Sequence, residues 1–169
     1  MAKRKGIDHV LVLNVWQVES QGYQNAVSEA GALGIGQIMP FHFRSIGIAD
    51  IGKEEWEKTI KWEVKRWGRK YVEHSVYRKE LEKAFDAKKN VTGSVGILAS
   101  SIKSANGNIR KGLAIYNGGG YGAKKFNEGY PCAPYVKGKI NDCLQNKHYV
   151  KNIYSAYVGD LKKMGEPTA

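Results

Sequence analysis

Apolar residues recur at helical spacing through most of the chain, and this pattern restricts the fold more than any other feature of the sequence. Near the N-terminus the recurring residues are Ile7, Val10, Leu11, Val15 and Val18. Intervals of three or four residues place side chains on one face of a helix, and the strict alternation typical of strands is nearly absent. The spacing predicts a first helix over about residues 6–20, ended at Gly22.

The same spacing continues along the chain. It predicts a long helix from residue 53, bent near His74 and continued to about residue 89, then helices over about 90–105, 109–116, 134–144 and 150–161. The run Gly36-Gln-Ile-Met-Pro40 is predicted to open a short second helix that Pro40 stops. The predicted class is therefore mainly α, with any sheet confined to a small hairpin.

The segment 53–89 is rich in charged and aromatic residues. Its apolar stripe is Trp56, Ile60, Val64, Trp67 and Tyr71. A stripe at this spacing is interpreted as the packing face of an amphipathic helix. The alternative is a tryptophan-lined platform for sugar rings.

Length and charge limit the classes of function. A chain of 169 residues is long enough for one domain with a sizeable core. Its 27 Lys and Arg against 16 Asp and Glu give a formal charge of +11, which suits polyanionic partners or simple solubility. No apolar run approaches the ~20 residues of a membrane span. The basic N-terminus has no cleavage site after it and does not resemble a signal peptide.

The cysteines and histidines do not form a metal-binding pattern. Cys132 and Cys143 could form a disulfide or remain thiols. The four histidines are His9, His42, His74 and His148, and their spacing is not that of metal ligands. Neither a metal nor a cofactor is expected.

A carboxylate lies where the first predicted helix ends. Glu19 occupies the last turn, beside Val18 and next to the apolar stripe, and the glycines Gly31, Gly34 and Gly36 follow. Poor solvation and the negative end of a helix both disfavour an ionised carboxylate, so Glu19 is a candidate general acid. The glycine spacing matches neither a dinucleotide fingerprint nor a phosphate loop.

The stretch from Glu19 to Pro40 resembles the first motif of the soluble lytic transglycosylases of the goose-lysozyme-like superfamily. The residues that match are Glu19, Ser20, Ala26, Ser28, Gly31, Ala32, Gly34, Gln37, Ile38, Met39 and Pro40. Two details differ, since the aromatic residue is one place late at Tyr23 and Ile35-Gly36 replaces the usual Leu-Met pair.

Three shorter segments extend the resemblance over nearly the whole chain. They are Asn90-Val-Thr-Gly93, then Ala114-Ile-Tyr116-Asn117-Gly, and Tyr135-Val136 with Ile140. The resemblance implies one lysozyme-like catalytic domain over residues 1–169. The segment 41–89 is longer than the family usually has, so residues 53–89 are interpreted as a helical insertion that could extend the groove, bind a partner or replace a missing domain.

The resemblance implies that Glu19 is the single catalytic acid and base. It would protonate the glycosidic oxygen between N-acetylmuramic acid and N-acetylglucosamine, then take a proton from the C6 hydroxyl of the same muramic acid to leave a 1,6-anhydro end. Ordinary glycosidases need a second carboxylate, whereas an attacking hydroxyl already held in place does not. Glu29, the other carboxylate of the motif, is interpreted as a solvated surface charge.

The resemblance also implies a set of substrate-binding residues. They are Ser20, Ser28, Gln37, Met39, Tyr116, Asn117 and Tyr135. The two serines would bind near the acid or the lactyl group, Gln37 an acetamido group, and Tyr116 would orient the acid. Met39 and Tyr135 could instead be core residues, and Asn117 a helix terminator.

The expected partner is the glycan strand of peptidoglycan, and the protein is expected to act as a monomer. Neither nucleic-acid binding nor stable membrane insertion is expected. Because that substrate lies outside the cytoplasm, delivery by a phage particle, a holin-dependent system or a secretion apparatus is expected. The single domain and the positive charge favour a phage origin.

Two other functions remain open at this stage. One is a goose-type lysozyme that hydrolyses the same bond, for which Asp50 is the candidate to position water. The other is a basic helical nucleic-acid-binding virion protein, which the charge alone supports.

Overall fold

The computed structural model describes residues 2–127 and 142–168. The chain divides into two compact units, a first unit of Glu19–Gly96 and a second unit of Ala2–Val18 with Ile97–Ala169. Over the described ranges the structure is helical, and the β contacts are the isolated antiparallel bridges Val27–Leu33 and Leu33–Ile38. No helix within those ranges is long and apolar enough to cross a bilayer. The mainly α class is confirmed, and one domain over the whole chain stays a prediction.

The first unit begins at the end of a helix and continues through short helices. It starts with the end of α1 (His9–Ser20), and we call the loop that follows, residues 21–39, the motif loop. After the motif loop come a 3-10 helix (Pro40–Ile46), α2 (Lys53–Glu55), a π-helical turn (Trp56–Ile60) and α3 (Lys61–Trp67). The unit continues with a 3-10 turn (Gly68–Lys70), α4 (Tyr71–His74), α5 (Arg78–Lys83) and the first part of α6 (Ala87–Ser104). The helix predicted over residues 6–20 is confirmed as α1.

The short helix predicted for Gly36–Pro40 is wrong. Gln37 has φ 47°, a left-handed conformation that a right-handed helix cannot contain, and Ile38 pairs with Leu33 instead. Pro40 begins the next 3-10 helix. A proline has no N–H to lose at a first helical position, so it starts this element and does not stop one.

The helical segment after residue 53 is broken once more than predicted. The break predicted near His74 is confirmed, because α4 ends at His74 and Ser75 is extended. An earlier break lies at Gly68, where φ is 57° and ψ is −135° and α3 ends. The packing stripe is confirmed for Trp56, Ile60, Val64 and Tyr71, which are all buried, but Trp67 is 39% exposed. Because the chain changes direction at Gly68, Tyr71 reaches the core from a separate helix and Trp67 stays at the surface.

A buried carboxylate organises the connection between α4 and α5. Glu63 is 5% exposed and accepts hydrogen bonds from the Ser75 hydroxyl at 2.5 Å and from Val76 N at 3.2 Å. Hydrogen bonds of this kind offset the cost of burying a charged group. Glu63 therefore stabilises the turn where the helical direction changes again.

The second unit consists of longer helices. They are the 3-10 turn Ala2–Lys5, most of α1, the end of α6, α7 (Ile109–Asn127) and α8 (Asp142–Lys163). Helices α7 and α8 pack together, with Leu113, Ala114 and Ile153 fully buried. The helix predicted over about residues 109–116 is confirmed as the first part of α7, which is broken at Gly119, where φ is 54° and ψ is −141°.

Candidate active site

The end of α1 is attached to the motif loop through the residue after Glu19. The Ser20 hydroxyl donates to the Ile35 carbonyl at 2.8 Å and accepts from Gly22 N at 3.1 Å. Gln21 and Gly22 then have φ 55° and 77°, which reverse the chain. Glu19 itself is half-buried, so its carboxyl group projects from a backbone whose position the loop determines. Val18 is 44% exposed, so the buried part of the predicted apolar stripe of α1 does not include it.

Two of the predicted sugar-binding side chains bind the backbone of the motif loop. Ser28 Oγ accepts from Ala32 N at 2.9 Å and closes a turn. Gln37 Nε2 donates to Gly34 O at 2.7 Å and to Ala26 O at 3.3 Å. These bonds hold the loop in one conformation, which is what a preorganised site requires. Contact of Ser28 or Gln37 with a sugar stays a prediction.

A buried asparagine on α6 holds the glycine-rich turn of the motif loop. The Asn90 amide is fully buried, accepts from Gly36 N at 2.7 Å, and donates to Leu33 O and Ala84 O, each at 2.9 Å. The sequence marks Asn90 as the start of a second motif but does not indicate this role. The residue is a central anchor of the candidate site.

The glycines of the turn are required because α6 lies so close. A Cβ atom at Gly34 would overlap the Asn90 amide, and one at Gly36 would overlap the Cβ of Ser94. Gly93, on the same helix, leaves room for Ile46. The backbone of the motif loop at Gly34 and Gly36 therefore lies directly against side chains of α6. Only glycine, which has no Cβ, allows so close an approach at these positions.

The segment that the sequence marks as an insertion supports the motif loop. A Cβ at Gly31 would lie 2.7 Å from the Trp56 ring and 2.7 Å from a Val64 methyl group. The Tyr71 hydroxyl donates to Gly31 O at 2.7 Å. Burial, together with the negative charge of Glu63, raises the pKa of Tyr71, so its hydroxyl stays protonated and able to donate.

The surface of the loop is more open at its aromatic residue. Tyr23, the displaced aromatic of the motif, is 68% exposed. Met39 is half-buried and extended, with φ −73° and ψ 144°, immediately before the 3-10 helix. A half-exposed methionine is compatible with the predicted apolar contact to a saccharide, and that contact stays a prediction.

The predicted residues of the third motif lie on α7 in the second unit. Tyr116 is half-buried, and Asn117 is exposed with Oδ1 accepting from Asn146 Nδ2 at 3.0 Å. The buried Asn146 also donates to Ala114 O at 3.0 Å, and the sequence pattern did not indicate it. Asn117 lies two residues before the break in α7 at Gly119, and both of its predicted roles, sugar contact and helix terminator, stay predictions.

Two other expectations concern residues near or within 128–141. Tyr135 lies outside the described residues. Cys143 is disulfide-bonded, and Cys132 also lies outside the described residues. Within residues 2–127 and 142–168 no cluster of three or more His, Cys, Asp or Glu side chains is arranged to hold a metal ion.

The sequence matches the family model of the transglycosylase SLT domain over residues 1–131. The chain belongs to the SLT domain family. The match begins before Glu19 and includes the motif loop, the helices after residue 53, and Tyr116 and Asn117. It confirms the family that the motifs predicted and supports the expectation of a lytic transglycosylase.

A solved structure is also similar to this SLT domain. It is an inactive mutant of the lytic transglycosylase Slt from Pseudomonas aeruginosa, with a TM-score of 0.60 and 18% sequence identity. The similarity covers 99% of this chain and 24% of that one, so this chain spans about a quarter of the length of that protein. The similarity confirms the lysozyme-like fold class.

Proposed function

We propose that this SLT domain is a peptidoglycan lytic transglycosylase in which Glu19 is the only catalytic carboxyl group. The observation that carries the proposal is the bond from the Ser20 hydroxyl to the Ile35 carbonyl. It joins the two ends of the matched motif, the glutamate and the glycine-rich turn. A catalytic acid needs a fixed position relative to the substrate, and this bond supplies one.

The proposed reaction has two proton transfers through one carboxyl group. Protonated Glu19 donates its proton to the oxygen between C1 of N-acetylmuramic acid and C4 of N-acetylglucosamine, and the C1–O bond breaks. The resulting carboxylate takes the proton of the muramic C6 hydroxyl while O6 bonds to C1. The products are a 1,6-anhydro end and a free C4 hydroxyl, and no water is consumed.

The surroundings of Glu29 and Asp50, the two other carboxylates considered as catalytic groups, support a single-carboxylate mechanism. Glu29 is exposed. Asp50 accepts from Arg44 N at 2.5 Å and lies 3.4 Å from Arg44 Nε. A carboxylate engaged in this way is a poor candidate to activate water, so the hydrolytic alternative of a goose-type lysozyme has less support.

The contacts within the motif loop suggest how the work is divided among the predicted residues. In the proposal, Ser20 and Ser28 position the acid and the loop, because their hydroxyls bind the backbone. Gln37 also binds the backbone, through Nε2, and is proposed to contact the saccharide through Oε1, with Met39 beside it on the loop side. The third-motif pair and Tyr135 are proposed as further sugar contacts.

The similar enzyme from Pseudomonas aeruginosa offers one more line of support. The form that was solved is inactive because glutamine replaces a single glutamate. An enzyme of this fold therefore depends on one glutamate, as the proposal requires of Glu19. We further propose that the chain acts on the cell wall after delivery by a phage particle, a holin-dependent system or a secretion apparatus.

The test is product analysis on purified sacculi with Glu19→Gln and the matched control Glu29→Gln. The unsubstituted chain should release fragments with 1,6-anhydro ends, which are lighter by one water than reducing ends. Glu19→Gln should lower the rate roughly 10²- to 10⁴-fold, the usual contribution of a general acid, and Glu29→Gln should not.

Three results would contradict parts of the proposal. Undiminished cleavage by Glu19→Gln would show that another group is the acid. Reducing ends in place of anhydro ends would identify a lysozyme. Duplex binding that weakens steeply with salt, without any cleavage of sacculi, would favour a nucleic-acid-binding protein.

A further inference from the structure

An arginine on the outer surface of α3 lies against two tryptophan rings. The Arg66 guanidinium carbon is 5.1 Å from the centroid of the Trp62 ring and 4.9 Å from that of Trp67. The Trp67 ring in turn stacks on His74, with centroids 4.3 Å apart and an angle of 22° between the planes. We call these four side chains the aromatic–arginine stack.

The aromatic–arginine stack is not part of the core. Trp62 is 55% exposed, Trp67 is 39% exposed, and Arg66 is exposed. The same helical segment buries Trp56 on its other side, where it supports the motif loop. Large aromatic side chains gathered at a surface are characteristic of a binding site.

The positive charge around this stack is not neutralised. Lys58, Lys61 and Arg78 each form an ion pair of 2.6 Å with a glutamate four residues away. By contrast, the ion pairs of the described residues include none of Lys65, Arg66, Arg69 and Lys70, all of which are exposed. Residues 65–70 therefore carry four exposed cations outside these ion pairs.

We propose that the aromatic–arginine stack binds the carboxylates of peptidoglycan stem peptides, an inference that rests on the function proposed above. A guanidinium presents a planar fork of N–H donors that matches a carboxylate. The two rings near the guanidinium restrict the rotamers of Arg66, so less entropy is lost on binding. The exposed parts of the indoles offer apolar surface to the neighbouring alanine methyl groups.

The surrounding charges favour a short anionic group over a polyphosphate chain. The exposed acids Glu54, Glu57, Glu73 and Glu82 lie on the short helices before and after the four cations, and all but Glu73 are in the ion pairs given above. A nucleic-acid backbone would need a continuous track of positive charge, and these carboxylates interrupt it. A single carboxylate on a peptide needs only the fork of Arg66.

The test measures binding of the full chain to insoluble sacculi, in the Glu19→Gln background so that the wall stays intact. Arg66→Lys keeps the charge but removes the fork and should weaken binding about three- to tenfold. The matched control Arg69→Lys, three residues away and outside the ring contacts of Arg66, should change binding by less than about twofold. Trp62→Leu, which removes one of the two rings, should weaken binding in the same direction as Arg66→Lys.

The ligand chemistry is tested by converting the carboxylates of the sacculi to amides. The Glu19→Gln protein, which retains Arg66, should bind amidated sacculi only as well as Arg66→Lys binds untreated sacculi. Thermal unfolding of each variant reports whether the fold is kept, which is expected because Trp62, Arg66 and Arg69 are exposed.

Several outcomes would overturn the inference. One is that Arg66→Lys binds untreated sacculi as tightly as the parent. Another is that the affinity difference between Arg66→Lys and the parent is as large on amidated sacculi as on untreated sacculi. If it lost affinity only for duplex DNA, the site would be one for nucleic acid. Formation of anhydro ends by the unsubstituted chain tests the enzymatic function separately, so the two proposals can fail independently.

Discussion

Replacing Asn90 with alanine removes the amide that joins the motif loop to α6. The three hydrogen bonds of that amide, to Gly36 N, Leu33 O and Ala84 O, are 2.7, 2.9 and 2.9 Å long. The side chain is fully buried, so no water can replace the amide without a rearrangement. At about 1 kcal/mol net for each bond, we expect the free energy of unfolding to fall by about 3 kcal/mol.

Urea unfolding followed by circular dichroism measures this loss. A change of about 3 kcal/mol is a large share of the roughly 5–15 kcal/mol that stabilises most domains, and it should lower the melting temperature by about 6–12 °C. The control is Asn152→Ala, an exposed position on α8, which should change the free energy of unfolding by less than about 0.5 kcal/mol. A loss below about 1 kcal/mol for Asn90→Ala would refute the role of this amide as an anchor.

The isosteric change Asn90→Asp separates the amide donor from the acceptor. An acceptor for Gly36 N remains, but an ionised carboxylate would face the carbonyl oxygens of Leu33 and Ala84, so its folded-state pKa would be raised above the unfolded value of about 3.9. The destabilisation should therefore be smallest in acid and grow as the pH rises from about 3.9 through the raised pKa. An equal deficit in acid and at neutral pH would contradict the assigned donor geometry.

Two further predictions concern packing and alkaline stability. Gly36→Ala should lower the free energy of unfolding by about 1–3 kcal/mol, because the new methyl group would overlap Ser94. Adding Ser94→Gly should restore part of that loss, although a glycine within α6 itself destabilises the helix by about 1 kcal/mol. A double-mutant cycle in urea measures this coupling, and additive effects would contradict the close contact. The pKa of Tyr157 is raised to about 12, above its unfolded value of about 10. The main cause is burial, and the second is the hydrogen bond that the Tyr157 hydroxyl donates to the Asp8 carboxylate. Stability should thus fall as the pH rises from about 10 to about 12. In alkaline urea titrations Tyr157→Phe should remove the part of that fall due to Tyr157, while the buried Tyr71, whose pKa is also raised, keeps its own contribution.

The local features of the chain were predictable from the sequence. The periodicity of its apolar residues located α1, and the same criterion identified Trp56, Ile60, Val64 and Tyr71 as buried. Helical spacing is a property of neighbouring residues, so it can be read without a tertiary structure. The motif match likewise identified the SLT family and made Glu19 the candidate acid.

Errors arose where a single backbone conformation or a distant partner decides the result. Trp67 belonged to the same stripe, but the left-handed Gly68 changes the direction of the chain and leaves the ring exposed. Pro40 was expected to end a helix, and it begins one because the preceding turn is closed by the left-handed Gln37. Neither conformation follows from spacing.

The sequence alone therefore determined the helical class, the family and the identity of the candidate acid. Only the tertiary structure decided how that acid is held, since Ser20 binds a carbonyl 15 residues away and Asn90 binds an amide 54 residues away. It also decided why the motif needs its glycines, because Gly31, Gly34 and Gly36 meet side chains of helices that come later in the chain. Such contacts depend on how distant segments pack, and no local pattern encodes them.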